Sequence, residues 1–244
     1  MNKPENISQN DWFLLCQKYK NTNRIQKKLD KGYPIQYLIG NVDFYGVNIS
    51  VNKNVLIPRY ETELLVSKTI YYIKKMNFNP LKIVDAGTGS GCIAIRLKNE
   101  FLSSNIIAYD KSLKALNVAK MNARNNKTDI TFKHNKFRDI KEENVDVLIS
   151  NPPYIDKIEE VSEQVLKYEP HLALFAPDGG IKYYKELINV STKILNKRSL
   201  IAFEIGFTQG KKIKKIAMNT YPNAKVLIEK DLTGKDRYIF IINE

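Results

Sequence analysis

From residue 81 onward the chain alternates between short apolar runs and longer amphipathic stretches. The runs are rich in Val, Ile and Leu and predict strands at 82–86, 105–110, 130–134, 145–150 and 199–205. Helical spacing predicts helices near 91–101, 112–125 and 180–195. This rhythm implies parallel strands joined by helical crossovers, an open doubly wound α/β sheet. The C-terminal end breaks the rhythm. Ala224–Lys230 and Arg237–Ile242 flank the turn-rich Asp231-Leu-Thr-Gly-Lys-Asp236 and predict an antiparallel hairpin.

Upstream the pattern is different. Residues 1–31 read as one or two short polar helices, with Trp12, Phe13, Leu14 and Leu15 as a buried cluster, and Lys31-Gly-Tyr-Pro34 ends them. Val42–Val51 alternates around Gly46 and predicts a β-hairpin. Pro58 closes the extended piece that follows, and Glu61–Lys75 predicts a helix with Leu64, Leu65, Ile70 and Ile73 on its apolar face. The chain thus divides into a small helical lobe (1–40), a hairpin link (41–55) and an α/β domain (56–244).

Length and composition change this picture little. The chain's 244 residues suffice for one α/β core plus an appendage. No apolar stretch approaches the roughly 20 residues that span a bilayer. Met1-Asn-Lys-Pro-Glu-Asn6 lacks the apolar segment of a signal peptide, so a cytoplasmic protein without membrane contact is expected. Cys16 and Cys92 are too few for a disulfide framework or a metal site and read as small core residues.

The formal net charge of +13 is more suggestive. Basic residues gather at Lys18–Lys31, Lys193–Arg198 and Lys211–Lys215. They suit weak contact with nucleic acid, or equally lysines that solvate helix faces. No Arg-rich stripe with interleaved aromatics decides between the two.

Candidate chemistry sits at the ends of two predicted strands. Asp85-Ala-Gly-Thr-Gly-Ser-Gly91 follows the run Leu81–Val84. Its glycines allow a sharp turn and close approach of a ligand, and the helix beginning near Gly91 offers unpaired N–H groups to an anion. The spacing is Gly-x-Gly-x-Gly rather than the Gly-x-Gly-x-x-Gly of dinucleotide enzymes. Asp110 ends the next strand, 19 residues after Gly91, where a carboxylate can accept both hydroxyls of a ribose.

Asn151-Pro-Pro-Tyr154 leaves the run Val145–Ile149 on the same sheet edge. An amide or exocyclic amine presents two N–H donors and needs two acceptors. The Asn151 side-chain oxygen and the Pro152 carbonyl can supply them, with Pro152 and Pro153 stiffening the corner and the Tyr154 ring packing on the flat group.

The glycine phrase with Asp85 and Asp110 resembles the S-adenosylmethionine site of class I methyltransferases. That resemblance implies a Rossmann-like seven-stranded sheet with a C-terminal antiparallel hairpin. It also implies a cofactor held by Gly87, Thr88, Gly89, Ser90, Gly91, Asp110, Lys136, Phe137 and Asn151, and released as S-adenosylhomocysteine.

Further phrases resemble the HemK/PrmC family: Pro34-Ile-Gln-Tyr-Leu-Ile-Gly40, Leu56-Ile-Pro-Arg-Tyr-Glu-Thr-Glu63, Tyr168-Glu-Pro-His-Leu-Ala-Leu174 with Asp178-Gly179, Phe203-Glu-Ile-Gly-Phe-Thr-Gln-Gly210 and Asp231-Leu-Thr-Gly-Lys-Asp-Arg237. The likeness runs from about residue 32 to the C-terminus. It implies methylation of the glutamine side-chain nitrogen in the Gly-Gly-Gln motif of peptide-chain release factors. Asn151, Pro152, Pro153 and Tyr154 would be the acceptor-binding and catalytic residues, with the N-terminal lobe docking the factor.

Three departures stand out. Pro58-Arg59-Tyr60 replaces the family's usual Pro-Arg-Pro, Lys136 replaces its frequent aromatic beside the adenine, and the segment before Gln36 is shorter. The alternative is an amino methyltransferase of nucleic acid, acting on adenine N6, cytosine N4 or a guanine amine, with the same corner gripping an unstacked base. A cofactor-binding module without catalysis ranks behind both, because residues 151–154 are intact.

Overall fold

The structure is a computed structural model that describes residues 3–4, 7–19, 23–79, 81–156 and 161–244. Parts of the N-terminal reading, at Met1, Asn2, Glu5, Asn6, Lys20, Asn21 and Thr22, lie outside the described residues. Helices α1 (Gln9–Lys18), α2 (Asn23–Asp30) and α3 (Ile35–Ile39) lead into a hairpin of β1 (Asn41–Phe44) and β2 (Val47–Ser50), then the long helix α4 (Tyr60–Met76). The alternating region runs β3 (Lys82–Ala86), α5 (Cys92–Glu100), β4 (Asn105–Asp110), α6 (Leu113–Asn125), β5 (Thr131–His134) and β6 (Val145–Ser150). It continues with α7 (Glu163–Tyr168), α8 (Lys182–Ile194), β7 (Leu195–Glu204), α9 (Gly210–Thr220), β8 (Lys225–Lys230) and β9 (Asp236–Asn243).

The main sheet has seven strands in the order β5-β4-β3-β6-β7-β9-β8. All pairings from β5 through β7 are parallel, and β9 runs antiparallel to both β7 and β8. The order reverses between β3 and β6, so the carboxyl ends of these neighbours open a crevice, the usual ligand position in such sheets. Both candidate phrases leave the sheet there.

Alternate strand residues feed two cores, one on each face of the sheet. Ile83, Val147, Ile149, Leu200 and Ala202 face one layer; Val84, Leu148, Ile201 and Phe203 face the other. Every residue of β6 is buried, which is why it reads as an unbroken apolar run rather than an alternating one.

The β1–β2 hairpin belongs to the first core through Phe44, Val47 and Ile49. It is also pinned by Asn122 of α6, whose Oδ1 accepts from Ser50 N and whose Nδ2 donates to the carbonyls of Ser50 and Ser90, each at 2.9 Å. The N-terminal helices pack a separate cluster of Leu15, Ile25, Leu29, Ile35, Leu38 and Ile39.

Several expectations needed correction. Of Trp12 to Leu15 only Leu15 is fully buried, while Phe13 is 59% exposed, since one helix face cannot hold four successive residues. Cys16 is exposed, whereas Cys92 is buried as expected. Strand β7 starts at Leu195, directly after α8, and its register against β6 shifts between Val145 and Val147. Helix α9 was not expected: its lysines mask an apolar face that buries only Gly210, Ile213 and Ala217. Among the described residues no helix is long and apolar enough to cross a membrane.

Candidate active site

The carboxyl ends of β3, β4 and β6 frame a cavity of about 410 Å³. Gly87, Thr88, Gly89 and Ser90 line it from the loop after β3. Gly87 has φ +78°, and a Cβ there would press on the Phe137 ring at 3.1 Å, so the glycine lets that ring close over the loop. Gly91 stands behind the lining, packed on Ala119 at the start of α5.

Asp110 also lines the cavity. Its Oδ2 accepts from Gly89 N at 2.9 Å and its Oδ1 from Ser112 N at 2.8 Å, which fixes the carboxylate and leaves each oxygen a further lone pair. Burial pushes its pKa up, against the pull of these two N–H groups.

Under the glycine loop lies Asp85, fully buried. Its Oδ2 accepts from the Thr88 hydroxyl at 2.6 Å, while Oδ1 has no hydrogen-bond partner. Burial raises this carboxyl to about 7, the Thr88 bond pulling the other way. A buried unpaired acceptor is costly, and a donor or cation reaching it would relieve that cost.

The stretch after β5 contributes both Lys136 and Phe137 to the lining. Phe137 meets Tyr183 edge to face at 5.4 Å, so the cavity has an aromatic wall. Lys136 is exposed.

At the other side of the cavity, Asn151 and Pro153 line the wall while Pro152 and Tyr154 stand behind it. The Asn151 Nδ2 donates to Thr62 Oγ1 at 2.9 Å, and Thr62 in turn donates to Glu204 Oε2 at 2.7 Å. The Tyr154 hydroxyl donates to Glu204 Oε1 at 3.3 Å and accepts from Arg237 Nη1 at 3.4 Å. Burial raises Glu204 to about 7, with Thr62 and Arg237 lowering it and Glu61 raising it.

The corner is clamped from outside. Gln209 Nε2 donates to the Tyr154 carbonyl at 2.7 Å and to the Gly179 carbonyl at 3.3 Å. Ile155 exchanges backbone hydrogen bonds with the 174–176 segment, donating to Leu174 and accepting from Ala176. Glu169 accepts from Ile57 N at 3.1 Å and from the Arg59 guanidinium, tying the segment before α4 to the loop around α7.

The structure therefore gathers Gly87, Thr88, Gly89, Ser90, Asp110, Lys136, Phe137, Asn151 and Pro153 around one cavity and leaves Gly91, Pro152 and Tyr154 next to its lining rather than in it. Thr62 and Glu204 were not singled out from sequence, although each lies inside one of the family-like phrases. Both histidines are engaged by backbone carbonyls, His134 at Lys111 and His171 at Leu166, and neither lines the cavity.

Comparison with known proteins gives the family and the fold. The Methyltransferase small domain family matches residues 62–171. A release factor glutamine methyltransferase of Enterococcus faecalis is 44% identical over 84% of this chain and 74% of its own length. One of Staphylococcus aureus is 41% identical over 85% of this chain and 75% of its own. In fold, the hMettl16 catalytic domain, crystallised with an RNA hairpin, covers 96% of this chain and 91% of its own with a TM-score of 0.65 at 16% identity. The sheet is thus that of a class I methyltransferase, and the chain belongs to the release factor glutamine methyltransferase family.

Proposed function

We propose that this protein methylates the side-chain amide nitrogen of the Gly-Gly-Gln glutamine in peptide-chain release factors, using S-adenosylmethionine. The observation that carries the reading is the placement of Asn151, its Nδ2 already engaged by Thr62, in the same cavity as the glycine loop and Asp110. The open space where a Gly89 Cβ would stand and the lone pairs left on Asp110 at the cavity wall fit a ribose-bearing cofactor. Residues 87–91, Asp110, Lys136 and Phe137 would hold it, and Asn151, which the resemblance also offered to the cofactor, is read here as the grip on the acceptor. When bound, S-adenosylmethionine supplies a methyl group on a sulfonium, a strong electrophile that needs no acid to activate it.

The chain's own residues then have to prepare a poor nucleophile. An amide nitrogen shares its lone pair with the carbonyl. Asn151 Oδ1 and the Pro152 carbonyl accept its two N–H donors, which localises the lone pair and aims it. Pro153 and Tyr154 hold the corner stiff, and alignment supplies most of the acceleration. No general base is required before transfer, because the proton leaves an already cationic nitrogen.

In this reading residues 1–40 dock the factor, 41–55 connect, and 56–244 carry the chemistry in the cytoplasm, where release factors act. The exposed Lys211, Lys212 and Lys215 of α9 support a weak nucleic-acid contact beside that task.

Transfer of labelled methyl to purified release factor, beside a factor whose Gly-Gly-Gln glutamine is changed, tests the proposal. Label on the native factor alone is expected. Label on total RNA or DNA with none on either factor would overturn it in favour of nucleic-acid methylation. Asn151→Ala should cut turnover by about a hundredfold or more while cofactor affinity stays within about twofold.

A further inference from the structure

A carboxamide has two ends of nearly the same shape, so packing alone does not decide which one faces the acceptor. Hydrogen-bond direction does. Thr62 is 3% exposed and Glu204 2% exposed, and together they continue inward from Asn151. We infer that Glu204, acting through Thr62, is a positioning residue that fixes the Asn151 amide with its oxygen toward the cavity, and thereby selects acceptors that bring N–H donors. This rests on reading Asn151 as the acceptor grip.

The argument is a count of protons. A threonine hydroxyl has one, and an ionised carboxylate has none. The 2.7 Å contact between Thr62 Oγ1 and Glu204 Oε2 therefore uses the threonine proton. Only lone pairs remain on Thr62 for Asn151, and only its NH2 end can meet them, as the 2.9 Å contact requires. Asn151 Oδ1 is left for a substrate. If Thr62 donated to Asn151 instead, the amide would turn by half a rotation. It would then present donors to a glutamine amide that also presents donors, and the acceptor would be repelled.

The carboxylate is held for this task from several elements. Tyr154 and Arg237 approach it from the acceptor corner and from β9, while Glu61 and Tyr238 lie close enough to act on it through space. The Tyr184 hydroxyl holds the Glu204 main-chain carbonyl at 2.8 Å. Burial brings the Glu204 carboxyl to about 7. Once protonated it can donate to Thr62, which frees the threonine proton and removes the reason for the Asn151 orientation. The acceptor amide does not titrate in this range. Hence kcat should fall on the acid side of about 7 for a reason that lies in the protein.

The test measures kcat, KM for the release factor, cofactor affinity by calorimetry and the pH profile. Thr62→Val should lower kcat about ten- to a hundredfold with cofactor affinity unchanged, and Thr62→Ser, which keeps the hydroxyl, should restore it. Glu204→Gln should lower kcat and flatten its acid limb. Wild-type kcat in Thr62→Val would overturn the relay, and so would a loss of cofactor affinity that accompanies the loss of kcat. An acid limb that survives unchanged in Glu204→Gln would overturn the part assigned to the carboxylate. Asn151→Ala separates the two levels: full turnover there removes the underlying reading, while low turnover beside an active Thr62→Val removes only the relay.

Discussion

Glu204 places a carboxylate where the fold would be cheaper without one. Its pKa is raised from 4.5 to about 7 by burial, so the folded chain binds its proton more tightly than the unfolded chain does. That preference stabilises the fold below pH 4.5 and is lost as pH rises through about 7, a swing of about 3 kcal/mol. Glu204→Gln removes the swing. Thermal melts at acid and alkaline pH should therefore show the variant gaining on the wild type as pH rises, even as its turnover falls. A constant difference across the range would mean that Glu204 is not a buried charge. Asp110, which burial also raises, is held by the Gly89 and Ser112 N–H groups at the cavity as a carboxylate poised to accept. Asp110→Ala should weaken S-adenosylmethionine binding about ten- to a hundredfold by calorimetry, and wild-type affinity would remove it from the ribose site. Asp110 and Asn151 were legible because each ends a strand recognisable by its apolar run. Thr62 and Glu204 were not, since 142 residues separate them and no local pattern marks a hydrogen bond across that distance.

At the scale of elements, the acceptor corner depends on the chain that returns past it. Gly180, with φ +77°, lies where a Cβ would stand 2.1 Å from the Tyr154 carbonyl and 2.2 Å from Gln209 Nε2. No side chain fits there without moving backbone. Gly180→Ala should cost about 1–3 kcal/mol of stability and displace the corner. We expect a lower melting temperature together with a kcat loss larger than any loss of cofactor affinity. Wild-type kcat would show that the 178–180 segment does not set the corner. The phrase Asp178-Gly179 was recognised as family-like from sequence, but the close approach of the next residue, Gly180, to Tyr154 required the fold. The strands were predicted to within a few residues because apolar runs survive burial on both sheet faces. Helix α9 escaped because its few buried positions are outnumbered by lysines whose charged ends reach solvent.

At the scale of the molecule, the turn between α2 and α3 touches α7. Tyr33 packs on Tyr168 with ring centroids 5.1 Å apart, and the Tyr168 hydroxyl donates to the Lys31 carbonyl at 2.8 Å. A factor bound to the lobe would thus press on α7, next to Glu169, which ties this region to the segment before α4. Tyr33→Ala should raise KM for the whole release factor several-fold and leave KM for S-adenosylmethionine unchanged; equal KM values for the factor would detach the lobe from docking. By itself the sequence determined the strand succession, the helices other than α3, α7 and α9, the glycine loop, Asp110 and the Asn-Pro-Pro-Tyr corner, because hydrophobic period and turn chemistry are local and written in neighbouring residues. Only the tertiary structure decided that Thr62 and Glu204 stand behind Asn151, that Gly180 passes under Tyr154 and that the hairpin joins the main core. Those contacts join residues far apart in the chain, and burial, which sets both their hydrogen-bond direction and their charge, exists only once the chain has closed around them.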